Sequence, residues 1–250
     1  MKKTIPKSVD ACGCHYLERP SFNLREEVFL TERENVFSGL WRSLRLFYEY
    51  MRGFYVFRNI GNCITLYGSA RFQENHPYYQ LARKMGYILA QTGFTVMTGG
   101  GPGIMEAANR GAKEGKGLSV SCNIELAEDH YEAPNLYVDK KITMHYFFVR
   151  KVMLTKYSLG FIAMPGGFGT LDEFFEMATL MQTGKIKNFP LVLMGKEYWQ
   201  PIIEFFNTRL IELGTIVQQD VDRLLITDSP EEALEFIMDA LKLIKKNNHE

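Results

Sequence analysis

The sequence predicts an α/β protein: a doubly wound parallel sheet flanked by helices, with an N-terminal helical extension. Three observations lead to that prediction. Short apolar runs of strand length alternate with stretches of helical period, an order that makes the sheet parallel and sandwiches it between helix layers. Three of those runs pass into glycines and then towards a helix: at Gly68, at residues 99–103 and at residues 166–169. With 250 residues, 46% of them hydrophobic and 23% charged, the chain is large enough for one substantial core.

Residues 1–35 are polar, carry Pro6 and Pro20 and hold no sustained period, so they are read as an arm. From residue 36 to 57 the apolar positions Phe37, Leu40, Trp41, Leu44, Phe47, Tyr48 and Met51 recur at helical spacing with arginines between them, which predicts a helix. Its large aromatics are there to cover either the sheet or another subunit. The first strand is expected at residues 62–67, ended by Gly68-Ser69-Ala70-Arg71, and a helix at about 77–91. A second strand at 94–98 runs into Gly99-Gly100-Gly101-Pro102-Gly103 and a helix with Ile104, Met105, Ala107 and Ala108, before a third strand at 118–122.

Residues 123–142 show weak periodicity and contain Glu125, Glu128, Asp129, His130, Pro134 and Asn135, a composition that predicts an irregular loop of the kind used for lids and binding. His130 is either a substrate contact or simply solvated. Residues 143–157 are apolar on several faces through Met144, Tyr146, Phe147, Phe148, Val149, Val152, Met153 and Leu154, which predicts a helix buried on more than one side. Strands follow at 161–164, 190–194 and 224–227, with a helix over 197–213 and a C-terminal amphipathic helix started by Asp228-Ser229-Pro230-Glu231. There is no internal repeat or low-complexity tract.

Lysine plus arginine equals aspartate plus glutamate at 29 each. This balance argues against general attraction to nucleic acid or acidic membranes, so anion binding has to be local. No run of 18 apolar residues exists, and Met1-Lys-Lys-Thr-Ile-Pro-Lys7 carries charge without an apolar stretch behind it, so the expected location is cytoplasmic. The cysteines are Cys12, Cys14, Cys63 and Cys122, and no disulfide framework is expected from them. Cys12-Gly-Cys14-His15 lacks a second pair at zinc-ligand spacing, so no metal is assigned.

The chemistry is placed in residues 159–176. Phe161 to Met164 form a buried-strand pattern that Pro165 stops, and Gly166, Gly167 and Gly169 then let another molecule approach the main chain. Thr170 is the expected N-cap of the following helix, whose apolar face is Phe174, Met177, Ala178 and Met181. Free N–H groups and the positive end of the helix dipole thus converge on one volume suited to an anion, above all a phosphate. Residues 99–103 form a second turn of this kind. The chain lacks both GxGxxG and GxxxxGK[ST], which disfavours a nicotinamide-dependent dehydrogenase and a P-loop NTPase. Ser69 and Arg71 follow a strand end and are either ligand contacts or surface groups. Arg150 and Lys151 lie within an apolar helix and need a phosphate, a carboxylate such as Glu173, or a path to solvent. Glu173 itself has two readings, because Thr170-Leu-Asp-Glu173 is also a capping box.

Pro165-Gly-Gly-Phe-Gly-Thr-Leu-Asp-Glu173 resembles the PGGxGTxxE signature of the LOG ("lonely guy") family, the cytokinin riboside 5′-monophosphate phosphoribohydrolases and related bacterial nucleotide nucleosidases, many of which carry an older "lysine decarboxylase-like" label. The resemblance extends to Gly68-Ser69, Gly99-Gly-Gly-Pro-Gly-Ile-Met105 and Arg150-Lys151 in the expected order, over roughly residues 60–200. It implies a Rossmann-like nucleotide-binding catalytic domain at residues 59–250 behind an arm and helix at 1–58. It also implies hydrolysis of the N-glycosidic bond of a nucleoside 5′-monophosphate, with no cofactor, in a homodimer whose sites lie near the interface. Arg150 and Glu173 match the family's catalytic pair. Gly68, Ser69, Gly100, Gly101, Gly103, Lys151, Gly166, Gly167, Gly169 and Thr170 are the expected substrate-binding residues.

Four residues, Tyr146 to Val149, stand between Met144-His145 and Arg150-Lys151, where short plant-type members have one, and the N-terminal region is long. The chain is therefore similar to the longer bacterial branch, which makes AMP the first choice of substrate and leaves modified or pyrimidine nucleotides open. The alternative from another class is a molybdenum-cofactor or nucleotide carrier without chemistry. A pyridoxal-phosphate lysine decarboxylase is a weaker alternative, since nothing marks a Schiff-base lysine.

Overall fold

A computed structural model of the chain describes residues 26, 29–30, 35–126, 133–187 and 189–247. Seven strands, β1 (Cys63–Tyr67), β2 (Thr95–Thr98), β3 (Ser119–Ile124), β4 (Lys140–Met144), β5 (Ser158–Ala163), β6 (Leu191–Met194) and β7 (Leu224–Thr227), form one sheet in the order β4-β3-β2-β1-β5-β6-β7. Every neighbouring pair is parallel. The helices are α1 (Val36–Phe57), α2 (Pro77–Gln91), α3 (Ile104–Glu114), α4 (Phe147–Lys156), α5 (Phe168–Gln182), α6 (Lys196–Phe205), α7 (Gln218–Asp222) and α8 (Pro230–Asn247).

The inner strands are buried on both faces, and their two-residue period sorts side chains into two cores. Cys63 and Tyr67 of β1 join Met97, Val120, Met153, Phe161, Phe174 and Trp199 on one side of the sheet. Ile64 and Leu66 join Tyr79, Leu89, Val96, Ile104 and Ile162 on the other. No helix among the described residues is long and apolar enough to cross a membrane.

Four local expectations are corrected. The stretch read as an irregular loop over 123–142 contains the end of β3 and the start of β4, while residues 127–132, His130 among them, lie outside the described residues. β4 is an edge strand that buries only Ile142 and Met144, so its lysine-rich sequence carries little strand signal. α4 accordingly begins at Phe147, and it buries Val149, Met153 and Leu154 while Phe147, Phe148 and Val152 stay partly exposed, so within this chain it is covered on one face. α5 begins at Phe168 with Gly167 as N-cap, which makes Thr170 the third residue of the helix and not its cap. Finally, the helix expected over 197–213 ends at Phe205 and passes into a π-helical turn, Phe206–Leu210. The arm and its Cys12-Gly-Cys14 segment lie outside the described residues, apart from positions 26, 29 and 30.

Candidate active site

β1 is followed towards one sheet edge by β2, β3 and β4, whereas β5 sits on its other side. The chain therefore switches direction between β1 and β5, and the loops leaving their carboxyl ends part to form a crevice. Hydrogen bonds hold those loops together at its floor. Met164 N donates to the Tyr67 carbonyl at 2.8 Å and Ser69 N donates to the Pro165 carbonyl at 3.0 Å. Ile104 N donates to the Ser69 carbonyl at 3.0 Å, which brings in the second glycine loop. Gly103 makes that junction possible: its φ is +66°, and a Cβ there would lie 2.4 Å from the Ser69 carbonyl oxygen.

A cavity of about 500 Å³ fills the crevice. Gly68, Ser69, Gly167, Gly169 and Thr170 line it, and so do Arg150 and Glu173. Gly167 and Gly169 face open space, since a Cβ built on either meets nothing within 4 Å. No side chain caps the start of α5, and Gly167, Phe168 and Gly169 line the cavity, so the start of the helix, an end that favours anions, lies at the cavity wall.

The remaining expected residues sit elsewhere. Gly166 turns away from the cavity, its carbonyl accepting from the Tyr198 hydroxyl at 2.6 Å. Gly100 and Gly101 belong to a buried polar network: their carbonyls accept from Asn135 N at 2.9 Å and Asn135 Nδ2 at 3.1 Å. Asn135 also donates to Asn109, whose Oδ1 accepts from Thr98 at 2.6 Å. These glycines and Gly103 therefore build the loop and do not line the cavity. Lys151 is occupied by Asp172 and Glu176, at 2.8 and 3.2 Å, and does not line it either.

Arg150 projects from α4 between β3 and the second glycine loop. Its Nε donates to the Cys122 carbonyl at 3.0 Å, and its guanidinium lies against Gly99. Glu173, one turn into α5, is 7% exposed, and its Oε2 finds no hydrogen-bond partner among the described residues. A capping role is thereby excluded for that oxygen, and the Thr170 N–H that a capping box would engage bonds instead to the Gly167 carbonyl at 3.0 Å. Burial raises the Glu173 carboxyl to about 7, against the opposing pull of the Arg150 and Lys151 charges. A carboxyl perturbed in this way, in a cleft beside an arginine, is a candidate acid–base group.

Tyr67 and Phe147 also line the cavity and are not expected there from sequence, and so do Arg71, Gly99, Met105, Phe168 and Asp172, which lie in the stretches quoted for the glycine turns and the signature. The end of a strand before a glycine turn is a signal that would have found Tyr67. That Gly99 makes room for Arg150, distant in the chain, is not marked locally.

Residues 105–237 match the protein family described as "Possible lysine decarboxylase". The chain belongs to this family. Among its relatives, the "Cytokinin riboside 5'-monophosphate phosphoribohydrolase" of Rhodococcoides fascians is 28% identical over 173 residues, covering 68% of this chain and 86% of that protein. The "Pyrimidine/purine nucleotide 5'-monophosphate nucleosidase" of Escherichia coli (strain K12) is 28% identical over 201 residues, 76% of this chain but only 43% of that protein. Among solved structures, the molybdenum cofactor binding protein of Rippkaea orientalis superposes with a TM-score of 0.53 at 24% identity, over 72% of this chain and 97% of that one. At such identity the superposition speaks for the fold alone.

Proposed function

We propose that the protein hydrolyses the N-glycosidic bond of a nucleoside 5′-monophosphate, releasing free base and ribose 5-phosphate. The observation that carries this reading is the pairing, in one cavity, of an uncapped helix start with a buried carboxylate, next to an arginine, whose Oε2 has no hydrogen-bond partner among the described residues. Relatives named for this reaction support it.

The 5′-phosphate binds at Gly167, Gly169 and Thr170, which sets the sugar one step deeper, beside Glu173. Departure of the base builds positive charge on C1′ and O4′, and ionised Glu173 stabilises that charge and orients or deprotonates the attacking water. Arg150 serves as a fixed positive charge, not as an acid. Binding of the remote phosphate thus serves positioning at the reacting carbon. AMP is the proposed first substrate. The carrier reading has only the likeness of fold in its favour, whereas Glu173 is a group that a carrier would not need.

The working form we propose is a homodimer. Support comes from α1, whose Phe37, Leu40, Trp41, Leu44 and Phe47 are all exposed and whose inner side contacts α4. A cytoplasmic setting agrees with the buried free thiols of Cys63 and Cys122.

The test is to incubate the protein separately with AMP, GMP, CMP, UMP and an isopentenyl-modified AMP and to follow free base by chromatography. Release that is abolished by both Arg150→Ala and Glu173→Ala is the expected result. Nucleotide binding without release from any of the five would overturn the reading in favour of a carrier.

A further inference from the structure

Glu173 is not alone in the cavity wall. Tyr67 also lines the cavity, and its hydroxyl is buried and finds no hydrogen-bond partner among the described residues. Buried polar atoms are almost always paired, so two such atoms on one wall mark the place of a missing ligand group. The tyrosine ring does not depend on its hydroxyl for its place. It packs against Phe161 at a tilt, with centroids 5.1 Å apart, and belongs to the core on that side of the sheet, where a phenylalanine would fill the same space. Burial, and next the charge of Glu173, hold the phenol well above its ordinary range, so at neutral pH it keeps its proton and remains a donor.

The ligand group has to satisfy a carboxylate, which only accepts, and a phenol, which donates and accepts. A phosphate would face the Glu173 charge at close range, and with the 5′-phosphate held at Gly167, Gly169 and Thr170 the part of the nucleotide that lies beside Glu173 is the sugar. A sugar hydroxyl meets both demands: it donates to the carboxylate and accepts from the phenol. We propose that Tyr67, together with Glu173, binds the cis-diol of the ribose, and that this pair makes the site selective for ribonucleotides over their deoxy counterparts. The proposal rests on the nucleosidase reading and adds to it a specificity-determining residue. It also accounts for a phenol at the end of β1 that the described residues leave unpaired.

The experiment compares wild type with Tyr67→Phe on the best-cleaved of the five ribonucleotides above and on its 2′-deoxy and 3′-deoxy forms. The variant should lose about 10- to 100-fold in kcat/KM on the ribonucleotide, because a site built to bond a hydroxyl is left with that hydroxyl unpaired. On the deoxy form that lacks the hydroxyl held by Tyr67, variant and wild type should run at equal rates. The thermal midpoint should stay level or rise, since no bond within the protein is removed. An unchanged ratio of ribo to deoxy turnover, whether both rates stay or both fall, overturns the role of Tyr67 while leaving the nucleosidase reading intact. A wild type inert on every ribonucleotide overturns that reading, and the proposal with it.

Discussion

Gly99 leaves empty the space that the Arg150 guanidinium occupies: a Cβ on residue 99 would stand 2.0 Å from Arg150 Nη2. The obstacle is the far end of a flexible side chain, so Gly99→Ala should fold, with stability within about 1 kcal/mol of wild type. The arginine would be pushed off its position, and a displacement of that size costs on the order of 100-fold in kcat/KM. Parallel urea denaturation and base-release assays would separate the two effects; equal activity would mean that Arg150 does not act from this position.

Glu173 should make stability depend on pH. Its carboxyl rises from the ordinary 4.5 to about 7 on folding, chiefly through burial. Between those values the native state binds more protons than the unfolded one, so stability falls as pH rises through that window. The full cost above pH 7 is on the order of 3 kcal/mol. Glu173→Gln should therefore be more stable than wild type at pH 8 and no different at pH 4. Denaturant midpoints at the two values check this.

The same carboxyl should govern the rate. If ionised Glu173 stabilises the developing charge, kcat/KM rises with pH through an apparent pKa near 7. A profile flat from pH 5 to 8 would take the catalytic role from Glu173.

Glu49, buried on α1, accepts the His145 N–H at 2.5 Å and lies 3.3 Å from His145 Nδ1. Glu49→Ala would leave that part-buried N–H unpaired, and a loss of about 1 kcal/mol is expected in urea denaturation. Glu49→Gln, which keeps an acceptor, should recover part of it.

The exposed stripe of α1 should be the dimer contact. Trp41→Asp and Leu44→Asp would put a charge into it, and sedimentation velocity should show the variants shifted from dimer to monomer. A wild type that sediments as a monomer at all concentrations would remove the homodimer from the proposal.

Much of this architecture was legible along the chain, for a local reason. Burial on both faces demands unbroken apolar runs such as Phe161 to Met164, and glycine turns must follow strands that deliver ligands to their carboxyl ends. α2 was found residue for residue because its proline start and apolar face are written within a few turns. The sequence does not mark β4, because an edge strand needs only two buried side chains, and it points to Thr170 as the cap because a threonine before acidic residues is the usual signal. Gly167 overrode it, since the loop leaving β5 reaches helical geometry before Thr170.

The sequence by itself determined the alternating order of strands and helices, the glycine turns, and the membership of Arg150 and Glu173 in one signature-bearing chain. Only the tertiary structure decided which of these groups meet. Gly167 and Gly169 open onto the cavity, while Gly100 and Gly101 serve Asn135 and Lys151 serves Asp172 and Glu176. Sequence records what a residue type is able to do. Whether its polar atoms are claimed by the protein or left for a ligand depends on partners far away in the chain, which packing alone brings within a hydrogen bond's reach.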